Sequence, residues 1–216
     1  MISFVLRLIL ISIGFYFIGS IPVAYLLAKT QKIDITKSGS GNVGALNSFE
    51  VTKSKTIGIL VLVLDLLKGF LPAFILTRVF DISFNVALLP LIMLIAGHNF
   101  SIFLKFKGGR GLAASAGISL AVNFWMLVIW GVFFLISFLI KRNVHIANVI
   151  ASVFLPVTIL AAPEYFPKFN FDYNVPMQLL NYHFFDLFIL SASVCILILI
   201  RHIQPIAELI KKSRKK

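Results

Sequence analysis

Two glycine-rich segments carry the side chains best suited to chemistry. The first reads Lys37-Ser38-Gly39-Ser40-Gly41-Asn42-Val43-Gly44-Ala45-Leu46-Asn47. Glycines let backbone N–H groups come close to an anion, and serine and asparagine add side-chain donors. Ser40, Gly41, Asn42, Gly44 and Asn47 therefore form a candidate phosphate cradle. Gly39, Gly41 and Gly44 also satisfy G-x-G-x-x-G, but a dinucleotide site needs that pattern inside a βαβ unit. Long apolar stretches flank it here instead. A merely flexible loop is the plainer alternative, and it leaves two asparagines among the glycines without a reason.

The second segment runs from Gly97-His98-Asn99 to Lys107-Gly108-Gly109-Arg110-Gly111, just before an apolar stretch. A helix N-terminus offers free N–H groups and partial positive charge, so Lys107, Gly108, Gly109 and Arg110 are a second candidate phosphate site. A simple basic loop would explain Lys105, Lys107 and Arg110 but not three glycines. His98 and Asn99 end an apolar helix, where a lone histidine is commonly structural. Asp65 and Lys68 stand at i, i+3 inside an apolar span and can pair there. A charge at mid-membrane costs about 2.5 to 3.5 kcal/mol on insertion scales. Neither residue reaches the glycine loops along its own helix, so the pair reads as structural, tying that helix to its neighbours. The single Cys195 lies in an apolar run, which excludes an intramolecular disulfide and a thiolate metal cluster. No metal site and no cofactor motif is read.

The elements that must position these residues are membrane helices. Of 216 residues 59% are hydrophobic and 13% charged, against about 25% charged in an ordinary soluble domain. With a mean hydropathy of +0.99, a soluble globule, a disordered chain and a disulfide scaffold are excluded. The net charge of +12 reads as topology rather than nucleic-acid binding, because cytoplasmic loops collect Lys and Arg. Nearly charge-free stretches cover 8–28, 57–76, 86–104, 112–140, 144–162 and 184–200. The fourth would be about 43 Å long as one helix, against a hydrocarbon core of about 30 Å. A break near Asn123, beside Trp125, divides it.

Sixteen of the 20 basic residues fall in four segments: Lys29 to Lys55, Lys105 to Arg110, Lys141-Arg142 and the tail from Arg201. Seven spans place all four on the cytoplasmic side. The expectation is an all-α polytopic membrane protein, one domain over 1–216, with about seven transmembrane helices, the N-terminus out and the C-terminus in. The first half of the divided segment is short for a full crossing. The early apolar run after Arg7 reads as a retained span rather than a cleaved signal. The aromatic stretch 163–176 is expected at the outer interface, and the basic tail 211–216 against anionic lipid.

Gly19-Ser20-Ile21-Pro22, the segment 39–47, Asp65-Leu66-Leu67-Lys68-Gly69, the segment 97–115 and Arg201-His202 together resemble the bacterial acyl-phosphate:glycerol-3-phosphate acyltransferases. The order and spacing match along essentially the whole chain. The resemblance implies a seven-helix enzyme of the bacterial inner or plasma membrane. It would transfer a fatty acyl group from acyl phosphate to the 1-hydroxyl of glycerol 3-phosphate, giving lysophosphatidic acid, with a substrate phosphate oxygen as proton acceptor. Its partners would be those two substrates and membrane lipid, with no nucleic acid. The site set is then His98, Asn99 and His202 in catalytic roles, and Ser40, Gly41, Asn42, Gly44, Asn47, Lys107, Gly108, Gly109 and Arg110 on phosphate.

Some positions depart from the family pattern. Glu50 stands where the family has Arg, Leu46 where it has Thr, Pro205 where it has Asn, and Arg110 where it has Lys. His145 and Asn148 replace a serine-rich patch. A helix beginning near Ser48 would set Lys53 on the face of Glu50, able to offset its charge. Two other classes compete with the enzyme: a non-catalytic relative that binds lipid phosphate or a membrane partner, and a transporter built around Asp65 and Lys68.

Overall fold

The computed structural model describes residues 2–80, 82–163, 165 and 180–214, of which 180–183 by backbone alone. Every regular element among them is helical, and they divide into two compact units, 1–122 and 123–216. The polarity is inverted relative to a soluble protein. Ile59, Leu62, Val132 and Ile196 are exposed, whereas Asp65, Asn99, Asn148 and His202 are buried. That distribution suits lipid, which solvates aliphatic side chains and excludes polar ones to the interior.

The first unit holds α1 (Ile2–Ser20), α2 (Val23–Thr30), α3 (Ala45–Thr52), α4 (Lys55–Phe74), α5 (Phe84–Asn99) and α6 (Leu112–Val122). Pro22 breaks the first span, since it lacks an N–H and disfavours helix at Ile21. The break exposes two carbonyls inside the unit. Ser101 Oγ donates to the Ser20 carbonyl at 2.5 Å, and Lys68 Nζ donates to that of Ile21 at 2.9 Å. Close helix contacts rest on missing β-carbons, as is common where lipid gives no hydrophobic drive. A methyl at Gly19 would overlap the Leu94 carbonyl and one at Gly97 that of Tyr16, which sets the α1–α5 approach. Gly69 and Gly117 do the same between α4 and α6.

The second unit holds α7 (Phe124–Lys141), α8 (Val144–Ala161), α9 (Leu180–Ile200) and α10 (Ile203–Ser213). Asn123 caps α7 by accepting from the Trp125 N–H at 3.0 Å, so the long apolar stretch is broken where the sequence places the break. Arg142 turns left-handed and Asn143 caps α8, accepting from the His145 and Ile146 N–H groups. Phe133 stacks on Phe154, and Trp130 Nε1 donates to Ser152 Oγ at 3.2 Å, joining α7 to α8.

Five helices among the described residues are long and apolar enough to cross a membrane, and a sixth if α9 and α10, bent by 48°, count together. Where a seventh was expected stands α6, whose 11 residues span about 16 Å. The short half is thus shorter than a crossing. The expected interfacial stretch 163–176 lies outside the described residues apart from Pro163 and Tyr165, as do the last two lysines of the tail.

Candidate active site

Asn47 organises the first glycine loop. It is 2% exposed, and its amide donates to the carbonyls of Ile35, Ser38 and Asn42 while its oxygen accepts from the Ser40 N–H at 3.0 Å. Gly39 and Gly41 have φ of +59° and +68°, a region side chains disfavour. A methyl on Gly39 would also overlap the Asn47 amide oxygen. Upstream, the Asp34 carboxylate accepts from the Thr36 hydroxyl at 2.6 Å and from its N–H at 3.1 Å, with Lys37 at 3.7 Å. The Thr36 hydrogen bond is the main reason that the Asp34 carboxyl is held below its ordinary range.

The backbone donors of this loop are engaged within the loop. The N–H groups of Ser40, Gly41, Asn42 and Gly44 all point to partners within the loop: Asn47, Ser38, Ser40 and Asn42. The glycines serve the turn, and Asn47 uses its donors on the loop itself. The side chain of Ser40 is exposed and that of Asn42 half-buried.

The expected surroundings of Glu50 are corrected by the structure. α3 begins at Ala45, not near Ser48, because Gly44 is extended and its carbonyl accepts from both the N–H and the hydroxyl of Ser48. The helix stops at Thr52. Lys53 is left-handed at φ 55°, and Ser54 caps α4. Glu50 and Lys53 are exposed and do not share one helix, so the proposed i, i+3 offset is absent.

In the second segment the chain folds back on the end of α5. The Gly108 N–H donates to the Asn99 carbonyl at 3.2 Å and the Gly109 N–H to the His98 carbonyl at 2.9 Å. These two N–H groups satisfy carbonyls at the C-terminus of α5. Neither glycine tolerates a β-carbon. At Gly108 it would overlap the His98 carbonyl, and at Gly109 it would overlap His98 Nε2 and lie 2.7 Å from the Val43 carbonyl. Gly109 is thus where the two loops meet. Lys107 is exposed and Arg110 half-buried on either side, and α6 begins two residues after Arg110 with first-turn N–H groups that no helical carbonyl takes.

Asp65 and Lys68 join this site, which sequence reading placed out of their reach. Lys68 Nζ lies 2.9 Å from Asp65 Oδ1, and His98 Nδ1 lies 3.7 Å from the same oxygen. All three side chains are buried. A small cavity lies among Ile21, Val43, Asp65, Lys68, His98 and Gly109. Helix spacing alone hides this, because the link runs across α5 rather than along α4. The expected tie to neighbouring helices is also present, through Ile21 and His98.

His202 belongs to the second unit. It is 1% exposed, its Nδ1 is 2.8 Å from the Ile198 carbonyl, and its ring meets that of His145 edge to face at 5.8 Å. Pro205 falls in the first turn of α10, where a missing N–H breaks no helical hydrogen bond. Among the described residues no group of three or more His, Cys, Asp or Glu side chains has the arrangement to hold a metal ion.

The site thus offers hydroxyl, amide and cationic side chains beside two tightly folded loops, in a protein whose outer surface is apolar. Such a surface suits an acylated, phosphate-bearing molecule. Comparison with known proteins points the same way. A glycerol-3-phosphate acyltransferase from Endomicrobium trichonymphae is 35% identical over 202 residues, 93% of this chain and 91% of the relative. One from Pseudothermotoga lettingae is 35% identical over 214 residues, 96% and 93% of the two chains. The crystal structure of PlsY, an integral membrane glycerol 3-phosphate acyltransferase, in its glycerol 3-phosphate form aligns at a TM-score of 0.76 with 29% identity, covering 95% of this chain and 93% of that one. Its lysophosphatidic acid form aligns equally well. With a family profile matching residues 9–212, and with both glycine loops, His98 and His202 inside that range, the chain belongs to the glycerol-3-phosphate acyltransferase family.

Proposed function

We propose that this chain transfers a fatty acyl group from acyl phosphate to the 1-hydroxyl of glycerol 3-phosphate, releasing inorganic phosphate and lysophosphatidic acid, as one domain of a bacterial inner or plasma membrane. The observation that carries the reading is the meeting of the two loops at Val43 and Gly109, in a chain that aligns with PlsY over 95% of its length. In the reaction the hydroxyl oxygen bonds to the acyl carbon, the acyl–oxygen–phosphorus link breaks at the acyl carbon, and the hydroxyl proton passes to a phosphate oxygen. Acyl phosphate is a mixed anhydride with a good leaving group, so the protein's work is to align the hydroxyl with the carbonyl and to neutralise phosphate charge.

In this reading Ser40, Asn42, Lys107 and Arg110 touch phosphate through their side chains. Gly41, Gly44, Asn47, His98, Asn99, Gly108 and Gly109 hold the loops that present them. His202, in the second unit, is kept as a catalytic candidate, its ring set by the Ile198 carbonyl and His145. The basic segments all face the cytoplasm, the N-terminus lies outside and the C-terminus inside. The test is purified protein with acyl phosphate and glycerol 3-phosphate, scored for lysophosphatidic acid, with acyl-CoA as the alternative donor. A non-catalytic relative that binds lipid phosphate is the second reading, favoured by the exposed Glu50 where the family pattern has a cation. Phosphate-lipid binding without transfer from either donor would select it.

A further inference from the structure

The pair Asp65 and Lys68 sits inside α4, yet its charges are directed to two other places in the fold. Lys68 Nζ donates to Ile21 at the break between α1 and α2. Asp65 Oδ1, held by Lys68 at 2.9 Å, faces His98 Nδ1 on α5. His98 in turn touches Gly109 twice: its carbonyl accepts the Gly109 N–H at 2.9 Å, and its Nε2 occupies the space that a β-carbon on Gly109 would need. One imidazole therefore has a carboxylate oxygen 3.7 Å from one nitrogen and the backbone of the second loop against the other. Rotating that ring either opens the space beside Gly109 or drives an atom into it. Lys107 and Arg110 lie within two residues of Gly109 and move with it.

Resting on the acyltransferase reading, we propose that Asp65 is a positioning residue of the transfer site: with Lys68 it fixes the His98 ring, and through His98 it sets the Lys107–Arg110 segment against the first loop at Val43. A pair that only anchored helices would be replaceable, since uncharged side chains of similar size commonly substitute for a buried ion pair without loss of stability. A pair that aims a ring is not replaceable in that way, because the neutral substitute removes the charge that the imidazole Nδ1 faces at 3.7 Å.

The test uses the full chain in detergent or nanodiscs, with Asp65→Asn, Asp65→Asn/Lys68→Met, His98→Gln and Asp65→Asn/His98→Gln. The first readout is backbone hydrogen exchange, which requires no catalysis. Asp65→Asn should speed exchange across 105–111 by about tenfold or more while the centres of α1 and α5 keep their protection, and the Lys68→Met addition should not restore it. The second readout is kcat/KM. Asp65→Asn and His98→Gln should each lower it, and the double variant should be no worse than the poorer single, because the two act through one contact. Unchanged exchange across 105–111, faster exchange throughout the unit, restoration by Lys68→Met, or multiplicative losses would each overturn the proposal. If Asp65→Asn does not accumulate, Asp65→Glu keeps the charge, displaces it by one methylene and carries the same two readouts. A parent chain with no transfer activity would count against the acyltransferase reading alone, since the exchange measurement still decides the positioning role.

Discussion

Arg110 and Glu50 are the two residues on which the account of phosphate binding bears most directly. Arg110 is half-buried beside Gly109, and the backbone hydrogen bonds of Gly108 and Gly109 to the end of α5 hold the loop that carries it. Arg110→Ala should therefore leave insertion intact and remove a charge-assisted contact worth about 1.5 to 3 kcal/mol, roughly 10- to 150-fold in KM or kcat. Steady-state kinetics on inserted protein check this. Glu50 is exposed on α3, where a carboxylate lowers the local potential for an anionic substrate. Glu50→Arg should keep or raise kcat/KM, and a drop in an inserted variant would show that the acid has a positive role. Residue types were the legible part: serine, asparagine and paired cations among glycines mark the two loops as candidates for phosphate binding. Which donors remain for a ligand was not legible. Only the fold shows Asn47 and the carbonyls of His98 and Asn99 already engaged with the loops.

The helices followed from composition because lipid imposes a simple rule of apolar length, and the break at Asn123 followed because a capping asparagine interrupts an over-long run. Two features escaped. The start of α3 was displaced by three residues, since Gly44 rather than Ser48 supplies the first carbonyl. The joining of Asp65 with His98 depends on how α4 and α5 face each other, which no periodicity records. Topology belongs at this scale. With single cysteines at Ser38, Lys107 and Ser213, a membrane-impermeant thiol reagent should label all three from the cytoplasmic side alone. Lys107 is chosen because a side chain at Gly108 would overlap the His98 carbonyl. Labelling of Ser213→Cys from outside would contradict the shared side of the four basic segments.

For the molecule as a whole, the exposed apolar surface, the buried polar interior and the two packed loops describe a protein that handles a lipid with a charged head. The family relation extends over both compact units. The most direct measurement is lysophosphatidic acid production by the purified, inserted protein from acyl phosphate and glycerol 3-phosphate. The account predicts product with acyl phosphate, none with acyl-CoA, and a loss of about tenfold or more on Arg110→Ala. Transfer from acyl-CoA in preference to acyl phosphate, or no product from a folded chain with either donor, would contradict it.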